Sequence, residues 1–99
     1  MSYRAYDRDD LTLDEIDSAD VSDGYDWSTF AVLRGSDGLL YTSSDSGCSC
    51  NWFGDDPLDV EPATTWQEAV DRAKEWGGTD SEVMALIERL MKSSPAATI

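Results

Sequence analysis

Histidine is absent from this chain of 99 residues, and basic side chains are scarce: seven Lys and Arg stand against 21 Asp and Glu, for a formal net charge of −14. Without histidine the usual general base near neutral pH is missing, and with it any Ser–His or Cys–His nucleophilic pair. Two carboxylates can act as acid and base, but that chemistry needs a cleft and one raised pKa. No pair stands out among so many carboxylates, so the expectation is a protein that is not an enzyme and takes no cofactor. Phosphate backbones and anionic bilayers are bound by Lys and Arg, so the shortage of cations argues against direct nucleic-acid or membrane binding. No apolar run approaches the roughly 20 residues of a membrane span. The opening Met1-Ser2-Tyr3-Arg4-Ala5-Tyr6-Asp7 lacks the apolar stretch of a signal peptide. A cytoplasmic location follows as the expectation, with Cys48 and Cys50 as reduced thiols.

What the chain does contain is ordinary for a folded domain: 40% hydrophobic residues, four Trp, four Tyr and two Phe. That is too apolar and aromatic for disorder, and the length fits one domain spanning 1–99, with 1–10 and 93–99 expected to lie loosely at its ends. Leu11-Thr12-Leu13 alternates like a strand until Ile16 breaks the pattern; a short helix capped by Thr12 with Glu15 is the competing reading. Trp27–Leu33 and Leu39–Thr42 are β-branched and aromatic, and Arg34-Gly35-Ser36-Asp37-Gly38 between them supplies turn residues, which predicts a hairpin. From Ser43 to Ala63 no periodicity is visible, and a long loop is expected.

Two helices read clearly. Thr65-Trp66-Gln67-Glu68 is a capping box followed by a stripe of Trp66, Ala69, Val70, Ala73 and Trp76, stopped at Gly77-Gly78. Thr79-Asp80-Ser81-Glu82 repeats the pattern ahead of Val83, Leu86, Ile87, Leu90 and Met91. Trp66 and Trp76 are assigned to the core. The fold class is therefore α+β: a small antiparallel sheet of about three strands followed by two helices on one face.

Three features carry candidate function. Ser43–Asn51 holds a single C-x-C; Cys48 and Cys50, completed by Asp45 or Asp55, make a weak metal candidate, because structural zinc takes four ligands and usually wider Cys spacing. The alternative is a turn in which Asp45 and the serines bond local amides while the thiols fill space beneath Trp52 and Phe53. Trp52 and Phe53, with Tyr25 and Trp27, are either interface anchors or core. The first 26 residues hold nine acidic side chains opposed only by Arg4 and Arg8. Carboxylates spread over a surface can imitate the field of DNA and occupy a basic groove; they can equally be a solubilising face.

Leu33–Tyr41, the run Ser44-Asp45-Ser46-Gly47-Cys48-Ser49-Cys50 and Thr65-Trp66-Gln67-Glu68-Ala69 resemble a family of short acidic proteins of unknown function from actinobacteriophages, over roughly residues 25–76. The resemblance carries no catalytic or binding residue. It implies a phage accessory protein in the host cytoplasm. The expectation is a protein that binds and occludes a host protein, with DNA mimicry as one form, through Asp45, Trp52, Phe53, Asp55 and Asp56 together with Asp14, Glu15 and Asp17.

Overall fold

The computed structural model describes residues 2–6, 8–23, 26–48, 53–54 and 57–93. Five strands, β1 (Ser2–Ala5), β2 (Arg8–Asp23), β3 (Asp26–Gly35), β4 (Leu40–Cys48) and β5 (Val60–Ala63), precede two helices, α1 (Trp66–Gly77) and α2 (Ser81–Ser93). The strands form one antiparallel meander in chain order. The α+β class and the succession of antiparallel sheet and two helices agree with the sequence reading; the sheet has five strands rather than about three.

The strand at Leu11–Leu13 runs much further than its alternation suggested, and Ile16 explains how. The register passes from Glu15↔Leu33 to Asp17↔Val32, which leaves Ile16 as the extra residue of a β-bulge. A bulge inverts the period-two pattern, so Leu11 and Leu13 enter one side of the sheet while Ala19 and Val21 enter the other. β3 uses both sides at once: Phe30 and Val32 pack toward the helices, Ala31 and Leu33 away from them.

Two cores result. The outer one joins Ala19, Phe30, Val32, Leu40 and Ala63 to the apolar stripes of α1 and α2. The inner one holds Ala5, Leu11, Leu13, Ala31, Leu33, Tyr41 and Leu58. It is enclosed because the sheet bends back on itself. Leu58, just before β5, donates its N–H to the Arg4 carbonyl at 2.8 Å, and its own carbonyl accepts from Tyr6 N–H at 2.7 Å. That bridge is parallel, as it must be when a meander with an odd number of strands closes. Each fully buried Leu or Val contributes about 1.5–3 kcal/mol, so two small clusters share the work of one large core.

Three expectations change. Residues 2–5, placed among the loose ends, form β1. The long loop expected from Ser43 to Ala63 begins as strand, since β4 runs to Cys48 paired with Asp26, and ends as β5 paired with Leu40–Ser43. Ser, Asp and Gly are poor strand formers, but β3 supplies the ladder, and tertiary pairing overrides propensity there. Pro62 sits in β5, an edge strand where a missing N–H is tolerated. Trp66 and Trp76, assigned to the core, are half-buried against its rim, and Met91 at 55% exposure leaves the stripe on α2.

The helix caps follow the expected logic with small shifts. Thr65 Oγ1 accepts from Glu68 N–H at 3.1 Å, while the Glu68 carboxylate reaches Thr64, one residue earlier than in a standard box. The hydrogen bond from the Thr64 hydroxyl is the first cause that holds the Glu68 carboxyl below its ordinary pKa. Asp80, not Thr79, caps α2, accepting Glu82 N–H at 2.8 Å. Arg72 fastens α1 to the sheet through Thr42 Oγ1 at 2.9 Å, the Glu61 carbonyl at 3.2 Å and the Pro62 carbonyl at 2.9 Å, and pairs within the helix with the Glu68 carboxylate at 2.6 Å.

Candidate functional site

β1 pairs with β2 only as far as Asp14, and β5 pairs with β4 only as far as Ser43. Beyond those points β2, β3 and β4 project together as a three-stranded tongue. Its cross-strand rows set the surface chemistry. One row is Asp20, Thr29 and Asp45, in which the Thr29 hydroxyl donates to Asp20 Oδ1 at 3.2 Å. Asp20 and Asp45 lie two strand spacings apart, about 10 Å. Asp26 closes the tip opposite Asp23 and Cys48. Asp20, Asp26 and Asp45 are exposed, and among the described residues no Lys or Arg pairs with them.

The cations lie elsewhere. Arg8 pairs with Asp10, Arg72 with Glu68, Arg89 with Asp17 and Lys92 with Glu88. Asp17 at the β2 edge is neutralised by Arg89, while Asp20, Asp26 and Asp45 keep their charge unpaired among the described residues, which leaves a field that extends about 8–10 Å at physiological salt.

The candidates named from sequence divide by location. Asp45 is on the tongue, its Oδ1 accepting Ser46 N–H at 2.8 Å. Asp14 is exposed beside Arg34 in the β2–β3 ladder. Glu15 is exposed and accepts the Tyr3 hydroxyl at 3.5 Å; partial burial is the first cause that raises the Tyr3 pKa, with the Glu15 charge second. Asp17 is committed to Arg89, which binds it twice, at 2.8 and 3.0 Å. Phe53 is half-buried, edge-on to Tyr3 with centroids 5.5 Å apart, and caps the inner core. Trp27 is 4% exposed and belongs inside. Tyr25, Cys50, Trp52, Asp55 and Asp56 lie outside the described residues. Cys48 ends β4; among the described residues no three His, Cys, Asp or Glu converge as a metal-binding group.

Sequence reasoning counted Asp20 and Asp26 within an acidic stretch without singling them out. Their signal is visible only once strand register aligns them with Asp45. Two depressions mark the surface, one at the tongue's base and one on the helical hairpin. One, about 350 Å³, lies between α1 and the β4–β5 edge and is lined by Asp59, Glu61, Glu75 and Arg72 beside Ser43 and Ser44. The other is an apolar groove along the helical hairpin, floored by Trp76, Ile87, Met84 and Met91.

A bent antiparallel meander closed on its first strand, with a helical hairpin on its outer face, defines a small α+β barrel-like domain. Among the described residues no helix is long and apolar enough to cross a membrane. The chain belongs to the family described as a domain of unknown function, DUF7574, whose model matches residues 2–96. No curated protein and no solved structure matches it.

Proposed function

We propose that this chain is a phage accessory protein that binds a host protein in the cytoplasm and occludes a basic surface of it, with no turnover. The observation that carries the reading is the distribution of charge: Asp20, Asp26 and Asp45 stand exposed on one projecting tongue with no described cation on them, where the one described ion pair, Arg89 with Asp17, sits at the β2 edge and the other described pairs lie on the rest of the fold. Exposed, unpaired charge of one sign keeps the free protein soluble at a cost in self-repulsion; opposite a basic groove it also speeds encounter and selects the partner. Imitation of the DNA backbone is the specific form this occlusion takes if the partner is a nucleic-acid-binding protein. The resemblance to actinobacteriophage proteins supplies the setting.

The metal reading built on Cys48 and Cys50 has no such observation behind it: among the described residues no three His, Cys, Asp or Glu converge, and Cys50 and Asp55 lie outside them. Capture of the tagged protein's partner from host lysate at about 150 mM salt, repeated at about 500 mM where screening shortens to a few ångströms, tests the proposal. One stoichiometric partner that is lost at high salt is expected. Absence of any partner at both concentrations overturns it.

A further inference from the structure

We propose that the edge of β4 left unpaired among the described residues, Ser44–Cys48, takes up an extended basic segment of the partner as a sixth strand, with a cationic side chain of that segment lying in the cleft of Asp59, Glu61 and Glu75. The inference rests on the protein-binding reading above and names the partner's contacting element.

Among the described residues the tongue has two edges that lack a second strand, and they are not equivalent. On each, an aspartate folds back onto the amide of the next residue: Asp17 Oδ1 accepts Ser18 N–H at 2.8 Å, and Asp45 Oδ1 accepts Ser46 N–H at 2.8 Å. This self-capping blunts an edge that would otherwise pair indiscriminately. On β2 the cap is locked, because Arg89 holds both Asp17 oxygens and its Nη2 also takes the Ser18 carbonyl at 3.2 Å. On β4 no described cation holds Asp45. Its cap can be exchanged: a strand carbonyl arriving at Ser46 N–H replaces the carboxylate, which is then released toward a basic side chain of the incoming strand.

The dimensions and chemistry fit a strand. Among the described residues Ser44–Cys48 are paired on one side only, and they span about 17 Å, the length of an ordinary strand. Their side chains, Ser44, Asp45, Ser46 and Gly47, are small and leave room for the partner's. Added strands gain affinity from backbone bonds and specificity from pockets for alternate side chains. The cleft beside Ser43 and Ser44, about 350 Å³, is such a pocket. Arg72 in its wall is committed to Thr42, Glu68 and the Glu61 and Pro62 carbonyls, and approaches the Glu61 carboxylate only at 3.9 Å. Asp59, Glu61 and Glu75 therefore favour a Lys or Arg. A second copy of this chain does not fit, since each carries a net charge of −14 and would set Asp45 and this cleft against further carboxylates.

The test titrates the full ¹⁵N-labelled protein with a blocked heptapeptide of alternating Lys and Val, and follows backbone amide shifts. The expected result is saturable shifts at Ser44 and Ser46, loss of binding when alternate peptide nitrogens are N-methylated, and about tenfold weaker binding by the Glu61→Gln, Glu75→Gln variant. No shift along Ser44–Cys48 up to about 1 mM peptide, or equal binding by the N-methylated peptide, overturns the inference. A salt-sensitive lysate partner together with a silent β4 edge overturns it while leaving the binding reading intact. Docking of the peptide without any lysate partner supports the edge and removes the host-occlusion reading.

Discussion

Arg89 on α2 grips Asp17 on β2 through two parallel bonds, Nε to Oδ2 at 2.8 Å and Nη2 to Oδ1 at 3.0 Å, across 72 positions of sequence. The pair joins helix and tongue and seals one sheet edge. Both side chains are partly exposed, so solvent screening limits the pair to about 0.5–1 kcal/mol. Asp17→Asn is expected to lose about that much at low salt and less at high salt, whereas Asp45→Asn, with no cation to lose, changes stability little. Urea denaturation at two salt concentrations checks both. Equal losses from the two substitutions would contradict the assignment of Asp17 to the fold and Asp45 to the surface.

Deletion of Ile16 is expected to abolish cooperative folding. Removing the bulge residue restores unbroken alternation and turns Ala19 and Val21 away from the helices. Ile16→Thr keeps the count, alters only a side chain that is 37% exposed, and should fold. Circular dichroism and thermal melting of the two variants separate backbone phase from side-chain burial.

Gly54 and Gly38 both have positive φ, +90° and +87°, but only at Gly54 would a Cβ meet the Tyr3 ring. Gly38→Ala is expected to cost about 1–2 kcal/mol for the left-handed backbone alone. Gly54→Ala adds about 1–3 kcal/mol of overpacking, part of which a Tyr3→Ala background should return. Equal costs at the two positions would show that Tyr3 does not close the barrel over Gly54.

Acid sensitivity should be traceable to the β3–β4 turn. The Tyr41 hydroxyl, donating to Asp37 Oδ2 at 2.5 Å, is the first cause that holds the Asp37 carboxyl below its ordinary pKa, with Leu39 N–H second. A depressed folded-state pKa contributes stability that is complete above the unfolded value of about 4 and is lost as pH falls through the lower folded value. Tyr41→Phe should therefore be less stable at neutral pH and show a shallower decline between about pH 5 and 3. Parallel stability curves for the two proteins would contradict the role given to the pair.

Much of this fold is legible because its local signals agree with its tertiary ones. Thr65 and Glu68 flank the start of a helix whose stripe buries Ala69, Val70 and Ala73, and Gly38 turns the hairpin that its neighbours predict. The end of β4 was not legible, because Ser44-Asp45-Ser46-Gly47 carries no strand propensity and is held by β3. β5 is four residues long and contains a proline. The barrel closure depends on Leu58 meeting Arg4 and Tyr6, a contact no local pattern encodes. The acidic stretch was plain in the sequence, yet its division into structural Asp17 and surface Asp20 needed the Arg89 contact and the strand register.

The central claim concerns where the charge lies, and one comparison isolates it. Asp20→Asn, Asp26→Asn, Asp45→Asn removes three charges from the tongue; Asp10→Asn, Asp71→Asn, Glu82→Gln removes three from elsewhere. Measured against the captured partner at about 150 mM salt, the first variant should bind at least about tenfold more weakly and the second nearly as well as the parent protein. Equal weakening by both would mean that net charge alone draws the partner, and would contradict a binding surface on the tongue.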